Sequence, residues 1–561
     1  MESSFKKAVF KEIWVRERAV LFLIMTALFF SGCSRDESFE FKDNGKKPIL
    51  AEEQVLRLNL YTEPPTLDPG KSNDATSFHV LKMLFEGLTR IQPDGKVKPA
   101  AAKSIEISED LKTFRFTLRD SVWTNGDPVV ADDFEYAWKR ILNPDFEAPY
   151  AYQLYVVKNA EAAKQGKVSL DEIGVEAIDE KTLLVTLEKP VPYFLDLVAF
   201  SAFYPVNRNT VSKHLGWADD AQDAYVSNGA FELSSWKHNN EIEVVKNQKY
   251  WDRDSVRLEK ILMMMIGDES TELSMFENGE LHWAGRPISR LPADAIPALR
   301  ENGSLKSHPV AAVEWYKFNT ARFPFNHKKM RKAFSYAINR KEIIEKLMPD
   351  GHIVATGIVP KMLTGERKPF FSDGDKEKAK ALFSEVLDEV GITKEDLPSI
   401  VLSYNSNEAH HRLAQAIQQQ WNETFGIQVS LEIFEWRVYI SKLRNHDFQI
   451  ARLGWAADFR DPINFLEVFK YKNDLLFGGN NDTQWENIGY IAFLDRSESI
   501  IDEKERLEVL HNAERLFINE MPVAPIYFMT DNYVKKANLR GTYLSGLGDV
   551  DFKWAYFEAE Y

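Results

Sequence analysis

A chain of 561 residues exceeds what one hydrophobic core ordinarily holds, so two or three domains are expected. Apolar residues make up 44% and charged residues 28%, the balance of a soluble globular protein, and a net charge of −15 argues against general nucleic-acid binding. The single cysteine excludes a disulfide framework, and an aromatic share of 12% supplies rings both for cores and for a binding cleft.

Residues 1–18 carry Lys6, Lys7, Lys11, Arg16 and Arg18, and an apolar run, AVLFLIMTALFF, follows from Ala19 to Phe30. A basic start, a short apolar core and small residues at a junction are the marks of a secretory signal. The run falls short of the ~20 residues of a membrane span. Ser31-Gly32-Cys33 resembles the lipobox of bacterial lipoproteins, in which the cysteine becomes the lipidated first residue; Phe30 stands where that motif usually has Leu. Residues 1–32 are therefore expected to be a lipoprotein signal peptide, and the polar, charged residues 33–54 a flexible tether.

VLRLNLY (Val55–Tyr61) reads as a strand, and EPPTLDPGKSNDA after it as a loop dense in turn formers. SFHVLKMLFEGLTRI (Ser77–Ile91) has helical spacing, with Val80, Leu81, Leu84, Phe85 and Leu88 on one stripe. Lys112–Asp120 alternates as a strand, and Val129–Leu142 is helical up to Asn143-Pro144. Lys181–Phe194 gives a strand and a proline-set bend. Ala230–Trp236 and Glu241–Asn247 form a strand pair, and Lys260–Gly267 is a short apolar strand. From about Val313 the texture changes. Lys328–Met348 is an amphipathic helical stretch, and two further helices end at Gly391-Ile392 and Gly426-Ile427. Strands at Pro398–Asn405, Gln428–Trp436 and Phe448–Trp455 alternate with them, the pattern of an α/β lobe. VAPIYFMTDNYVKKAN returns to strand-like residues.

The stretch ARLGWAADFRDP (Ala451–Pro462) sets a cation, an indole and a carboxylate where a buried run ends. Charged side chains are seldom buried unless paired. Taken alone, Asp458 also reads as a turn or cap residue, and Arg452 as half of a core ion pair. His410 lies beside His411 on a helix, where neighbours point in different directions, and also reads as a solvated or capping histidine. A Gly-x-Ser-x-Gly elbow, a His-Glu-x-x-His helix, a Walker loop and a cysteine metal site are all missing from the sequence. No catalytic residue, metal site or cofactor is expected, and this counts against an extracellular hydrolase.

PPTLDP, FEGL, TFRFTLRDSVWTNGDPVVADDFEYAWKR, PVPYF, SNGAFEL, NQKYWD, PFNHKKMRKAFSYAINR and ARLGWAAD occur in this order. Through them the chain from about Leu56 to Tyr556 resembles the oligopeptide- and dipeptide-binding proteins of bacterial peptide ABC transporters, solute-binding protein family 5. The resemblance implies an α/β, two-lobed, hinged periplasmic-binding-protein fold of type II, cluster C-like, with three domains. Domain I would comprise 55–85, 191–310 and 529–561, domain II 86–190, and domain III 311–528. The implied protein is a monomeric receptor, lipid-anchored to a membrane in the periplasm or cell envelope. It captures peptides between its lobes and hands them to ABC permease subunits.

An extended peptide needs partners for its backbone and for both terminal charges. The resemblance assigns the pairing strand to Gly454, Trp455 and Ala456, and the α-amino partner to Asp458. It assigns pairing from the other lobe to Asn73, Asp74 and Ala75, the carboxylate end to Arg452 and His410, and cleft lining to Trp436 and Tyr150. Three positions depart from the family pattern. Ala456 stands where some members have a bridged cysteine, Met348 where some use a lysine for short-peptide carboxylates, and Lys317 where an acid is usual. Peptide length or side-chain preference is expected to differ accordingly. A receptor of the same fold for a modified or non-peptide ligand (a murein peptide or metal chelate) stays open, as does an adhesin or signalling receptor without a transport role.

Cys33→Ala is expected to abolish incorporation of a labelled fatty acid and to leave an unprocessed precursor. Equal label in wild type and variant would overturn lipidation.

Overall fold

Two strands of 13 residues each, Lys306–Phe318 and Val523–Lys535, lie side by side and organise the chain in this computed structural model. The structure describes residues 49–221, 225–348, 351–472 and 481–559, so the expected signal peptide and Cys33 lie outside the described residues. Among the described residues no helix is long and apolar enough to cross a membrane.

The two long strands are the centre of a seven-stranded mixed sheet. Its order is Trp283–Gly285, Val523–Lys535, Lys306–Phe318, Ile450–Ala456, Ile400–Asn405 and Val429–Phe434, with Ile353–Val354 also against Val523–Lys535. The centre is antiparallel, while Ile400–Asn405 pairs in parallel with both of its neighbours. Parallel neighbours need a crossover, and the helix Glu408–Phe425 supplies the one between Ile400–Asn405 and Val429–Phe434. Val313, Trp315, Tyr316 and Phe318 are fully buried, the run expected of a strand covered on both faces. The expected boundaries at 310/311 and 528/529 fall inside the two long strands, and the pairing register shifts between Pro309 and Val313.

A second sheet runs Val55–Asn59, Lys260–Met264, Glu241–Lys246, Phe231–Lys237, its first pair parallel. A third, wholly antiparallel, runs Ala102–Ile107, Thr113–Leu118, Thr182–Thr186, Val175–Asp179. The helix Ala131–Leu142 covers it with buried Phe134, Trp138 and Ile141.

Helical spacing over Ser77–Ile91 carried the expected helix too far, for the helix is Ala75–Leu84. Tertiary hydrogen bonds compete for the backbone beyond it. Asn228 accepts from the Glu86 N–H and donates to the Glu86 carbonyl, and the Gly229 N–H donates to the Leu84 carbonyl. The freed Glu86 side chain accepts from the Tyr250 hydroxyl and the Trp251 indole, both at 2.5 Å. Three of the motif blocks, FEGL, SNGAFEL and NQKYWD, thus meet at one buried residue, Glu86, the second through its backbone and the third through its carboxylate.

Two other expectations also shift. Lys328–Met348 is two helices, Lys328–Tyr336 and Arg340–Leu347, because Asn339 leaves helical geometry and caps the second through the Glu342 N–H. The strand read to Trp436 ends at Phe434, since Glu435 caps a helix Trp436–Arg444. The helices ending at Gly391 and Gly426 stop there because both glycines adopt the left-handed conformation that terminates helices.

Gly229→Ala tests the packing at the node. A Cβ there would lie 2.4 Å from the Leu84 carbonyl carbon and 2.6 Å from the Met83 carbonyl oxygen, both backbone atoms. The variant is expected to lose about 1–3 kcal/mol, as for overpacked cores. Differential scanning calorimetry would read this as a lowered midpoint.

Candidate functional site

The strand Ile450–Ala456 is paired along its whole length on one edge, from Phe318↔Ile450 to Ala312↔Ala456. On the other edge it is paired only at Ile450 and Ala451, opposite Leu402 and Ser403. Burial falls in step: Ile450 and Ala451 are buried, Arg452 to Trp455 partly so, and Ala456 is exposed. The Arg452 carbonyl accepts from the Tyr439 hydroxyl. Beyond it, Leu453, Gly454, Trp455 and Ala456 present an edge that meets no strand among the described residues. Such an edge is a template for an added extended chain.

Asp458 follows this edge and is held in place. Asn464 Oδ1 accepts from the Asp458 N–H at 3.3 Å and from the Trp455 indole at 2.8 Å. Burial raises the pKa of its carboxyl above the 3.8 of a free aspartate, and the neighbouring Asn464 side chain and Tyr152 hydroxyl, which favour the ionised form, oppose the shift only in part. A carboxylate so placed gains from a buried cation.

Beside Asp458 lies a cavity of about 310 Å³. Ala456, Ala457 and Asp458 bound it on one side, Asn73, Asp74 and Ala75 on another, and Tyr150 lines it. The structure therefore gathers Asn73, Asp74, Ala75, Tyr150, Ala456 and Asp458 around one space. Asn73 is exposed and non-helical. Asp74 caps the helix Ala75–Leu84, accepting from the Ser77 N–H at 2.9 Å and the Ser77 hydroxyl at 2.7 Å. Asp74 itself is extended, and the helix begins at Ala75. Tyr150 stands in an aromatic trio, with centroids 5.5 Å from Phe78 and 5.3 Å from Phe200, and Phe78 lies 5.1 Å from Phe200.

Gly454, Trp455, Arg452, His410 and Trp436 do not line this cavity; the first three lie along the strand edge. Arg452 forks onto Glu314, its Nε to Oε1 and an Nη to Oε2, and its other Nη donates to Asn405 Oδ1 at 3.3 Å. Burial disfavours the guanidinium charge, but Glu314 more than offsets this, so the Arg452 pKa is raised. His410 is held near pKa 4 by burial and by the Arg452 charge, against a bond to the Asn405 backbone, and its Nδ1 has no partner. The site thus gives Arg452 a charge already answered by Glu314, and His410 a neutral ring at pH 7. Trp436, the first residue of its helix, is 49% exposed.

Sequence reasoning missed Glu314, Tyr152 and Asn464. Glu314 had a visible signal: it is a lone acid in the apolar run AAVEWY, as Arg452 is a lone base in its own. Tyr152 and Asn464 carried none, since only the folded chain brings them to Asp458. Lys82 and Asp549, an ion pair lining the same cavity from distant parts of the chain, were equally hidden.

The sequence pattern of the bacterial extracellular solute-binding proteins, family 5 Middle, matches residues 96–475. The oligopeptide-binding protein OppA of Bacillus subtilis (strain 168) is 46% identical over 541 residues, covering 96% of this chain and 97% of that protein. Among solved structures, the unliganded open form of the periplasmic murein tripeptide-binding protein MppA superposes with a TM-score of 0.81 at 28% identity, covering 91% of this chain and 99% of that one. Haemophilus influenzae OppA in complex with RPPGFSPFR gives a TM-score of 0.70 at 28% identity, covering 91% and 100%.

Removing one partner of a buried ion pair strands the other. Glu314→Ala is therefore expected to cost about 3–5 kcal/mol, and the double variant Glu314→Leu/Arg452→Met to recover most of it. Thermal denaturation of the three proteins checks this.

Proposed function

The chain belongs to the bacterial extracellular solute-binding proteins of family 5, and from that premise we propose that it is a lipid-anchored receptor that captures peptides by the α-amino group and delivers them to an ABC permease. It is a solute-binding protein and not an enzyme. The observation that carries the reading is the half-buried carboxylate of Asp458, poised between an unpaired strand edge and a cavity.

The two features answer the two needs of an extended peptide. The edge at Leu453–Ala456 offers backbone donors and acceptors to any sequence, because main-chain pairing does not read side chains. Asp458 offers the countercharge for the α-ammonium, which every free peptide has. The carboxylate end then meets hydrogen-bonding groups at Arg452 and His410 in place of a free positive charge, with Trp436 and Tyr150 along the path. Asn73, Asp74 and Ala75 close on the ligand from the opposite side.

Closure needs a hinge, and we assign it to the long strands, where the register shifts between Pro309 and Val313. The higher TM-score with an unliganded open form than with a peptide complex supports an open arrangement here. The lobes would be domain I (55–85, 191–310, 529–561) with domain II (86–190), against domain III (311–528). Peptide binding would draw them together, stabilising the closed state by mass action.

Calorimetric titration tests the reading. Asp458→Ala is expected to weaken binding of a free peptide by about 30-fold or more, since truncating one side of a buried charge pair costs about 2–5 kcal/mol. An N-acetylated peptide should bind the wild type poorly and lose little more in the variant. Fully additive losses would show that the two groups do not interact, and would turn the search to ligands without a free amino group.

The sign with pH follows from the raised Asp458 pKa. The ammonium pairs with the ionised carboxylate, so affinity should be full at neutral pH and fall as the pH drops through that pKa. Asp458→Asn should remove this dependence, measured with one peptide between pH 7 and 4.

A further inference from the structure

Between the helices Lys328–Tyr336, Ile488–Glu498 and Glu503–Glu520 lies a recess of about 510 Å³ that shares no residue with the cavity beside Asp458. Tyr336, 6% exposed, forms its floor, and the partly buried rings of Phe370 and Phe493 stand around it. Lys332 reaches it from one turn before Tyr336 on the first helix. Asn512, Arg515 and Asn519 recur at spacings of three and four, so one face of the helix Glu503–Glu520 carries all three to it.

The polar lining is cationic, in a chain whose net charge is −15. Lys332 Nζ donates to Asn519 Oδ1 at 2.7 Å, and Arg515 Nη1 to Asn512 Oδ1 at 3.0 Å. Each cation is thus positioned by a neutral amide, and among the described residues neither forms an ion pair with a carboxylate. The acids nearby are already engaged: Glu520 with Lys328 at 2.7 Å, Glu508 with Arg367 at 3.1 Å, and Asp375 with the Lys378 N–H that it caps. A third cation, Lys378 Nζ, lies 5.0 Å from the Tyr336 ring centroid. Burial and the charges of Lys328 and Lys378 lower the Lys332 pKa. The His511 ring lies 5.2 Å from Phe370, and burial with the charges of Arg367 and Arg515 lowers its pKa; its Nδ1 has no partner among the described residues. Two separate side chains therefore register positive charge that the protein leaves unanswered.

We infer that this recess is a second binding site, for a small aromatic anion: a planar ring that carries a phosphate or a carboxylate. Its volume is that of a small-molecule site. The ring of such a ligand packs against Tyr336, Phe370 and Phe493 in the offset or edge-on geometries that aromatic pairs prefer. The anionic group meets Lys332 and Arg515, which offer charge-assisted hydrogen bonds, Arg515 with a planar fork. Asn512 and Asn519 turn their oxygens to the two cations, which leaves their NH2 groups as further donors. The anion also relieves the repulsion among Lys332, Lys378 and Arg515, a gain that a neutral or cationic ring cannot bring. Asp458 plays no part in this site, which is separate from peptide capture.

Pyridoxal 5′-phosphate tests it, as an aromatic phosphate whose aldehyde records the amine it sits beside. The aldehyde condenses with an unprotonated lysine amine to an imine and water, and borohydride then reduces the imine to a stable secondary amine. Mass spectrometry of a digest reads the rate at each lysine. Lys332 should be labelled at least about tenfold faster than the exposed Lys103, the factor that one charge-assisted contact supplies. Phenyl phosphate should slow labelling of Lys332 and leave Lys103 unchanged, and inorganic phosphate at the same concentration should protect far less. Arg515→Met, at an exposed position, should bring Lys332 towards the Lys103 rate, and Arg515→Lys should restore part of the difference, with a thermal melt confirming that both variants are folded. A Lys332 rate no higher than that of Lys103, or unchanged by Arg515→Met, would overturn the site. Equal protection by inorganic and phenyl phosphate would overturn the selection of an aromatic ligand. Peptide capture would stand in either case.

Discussion

The fork between Arg452 and Glu314 joins the two strands on which the site depends. In the register Tyr316 stands opposite Arg452 and Glu314 opposite Gly454, so the pair bonds on the diagonal across the ladder. A slip of one residue would send every side chain of Ile450–Ala456 to the other sheet face and would break a pair whose carboxylate is fully buried. The same register sets where the strand runs out of its parallel neighbour. The unpaired edge and Asp458 follow from that position. Through this pair Arg452 fixes the strand that leads to Asp458.

A second constraint lies directly behind the cavity lining, where Arg90 donates to the Lys82 carbonyl. Glu86 accepts from Tyr250 and Trp251, Arg90 lies 3.7 Å from it, and Asp551 lies 3.6 Å from Arg90. Segments near residues 86, 228, 250 and 551 are thereby tied together, including the C-terminal piece that returns to this part of the chain. Gly548 and Asp549 come with that piece and line the cavity. Several of the sequence blocks that carry the family resemblance are thus parts of a structural joint.

Charge at the site is uneven. Carboxylates crowd the end near Asp458, whereas the positive groups nearby are mostly answered: Arg452 by Glu314, Lys82 by Asp549. A zwitterion would be anchored electrostatically at its ammonium and by hydrogen bonds elsewhere. Buried charges that are already paired contribute little net attraction, and a half-buried carboxylate that has no cation beside it contributes more.

Local patterns in the sequence determined most of the elements. The alternation of Val55–Tyr61, the helices ended by Gly391 and Gly426, and the strand before Asp458 are governed by nearest neighbours along the chain, which propensity and periodicity report. The family resemblance added Asp458, Tyr150 and the Asn73–Ala75 segment, and these do surround one cavity. Tertiary structure alone decided the rest. The helix at Ala75 ends at Leu84 because Asn228 and Gly229, about 140 residues away, claim the backbone beyond it. Glu314 is the partner of Arg452 because two strands 138 residues apart lie in one register. Tyr152, Asn464, Lys82 and Asp549 meet in the cavity region through long loops and separate layers. Periodicity reports which face of an element is buried; it holds no information on which distant side chain will stand opposite, because that is set by how whole sheets stack.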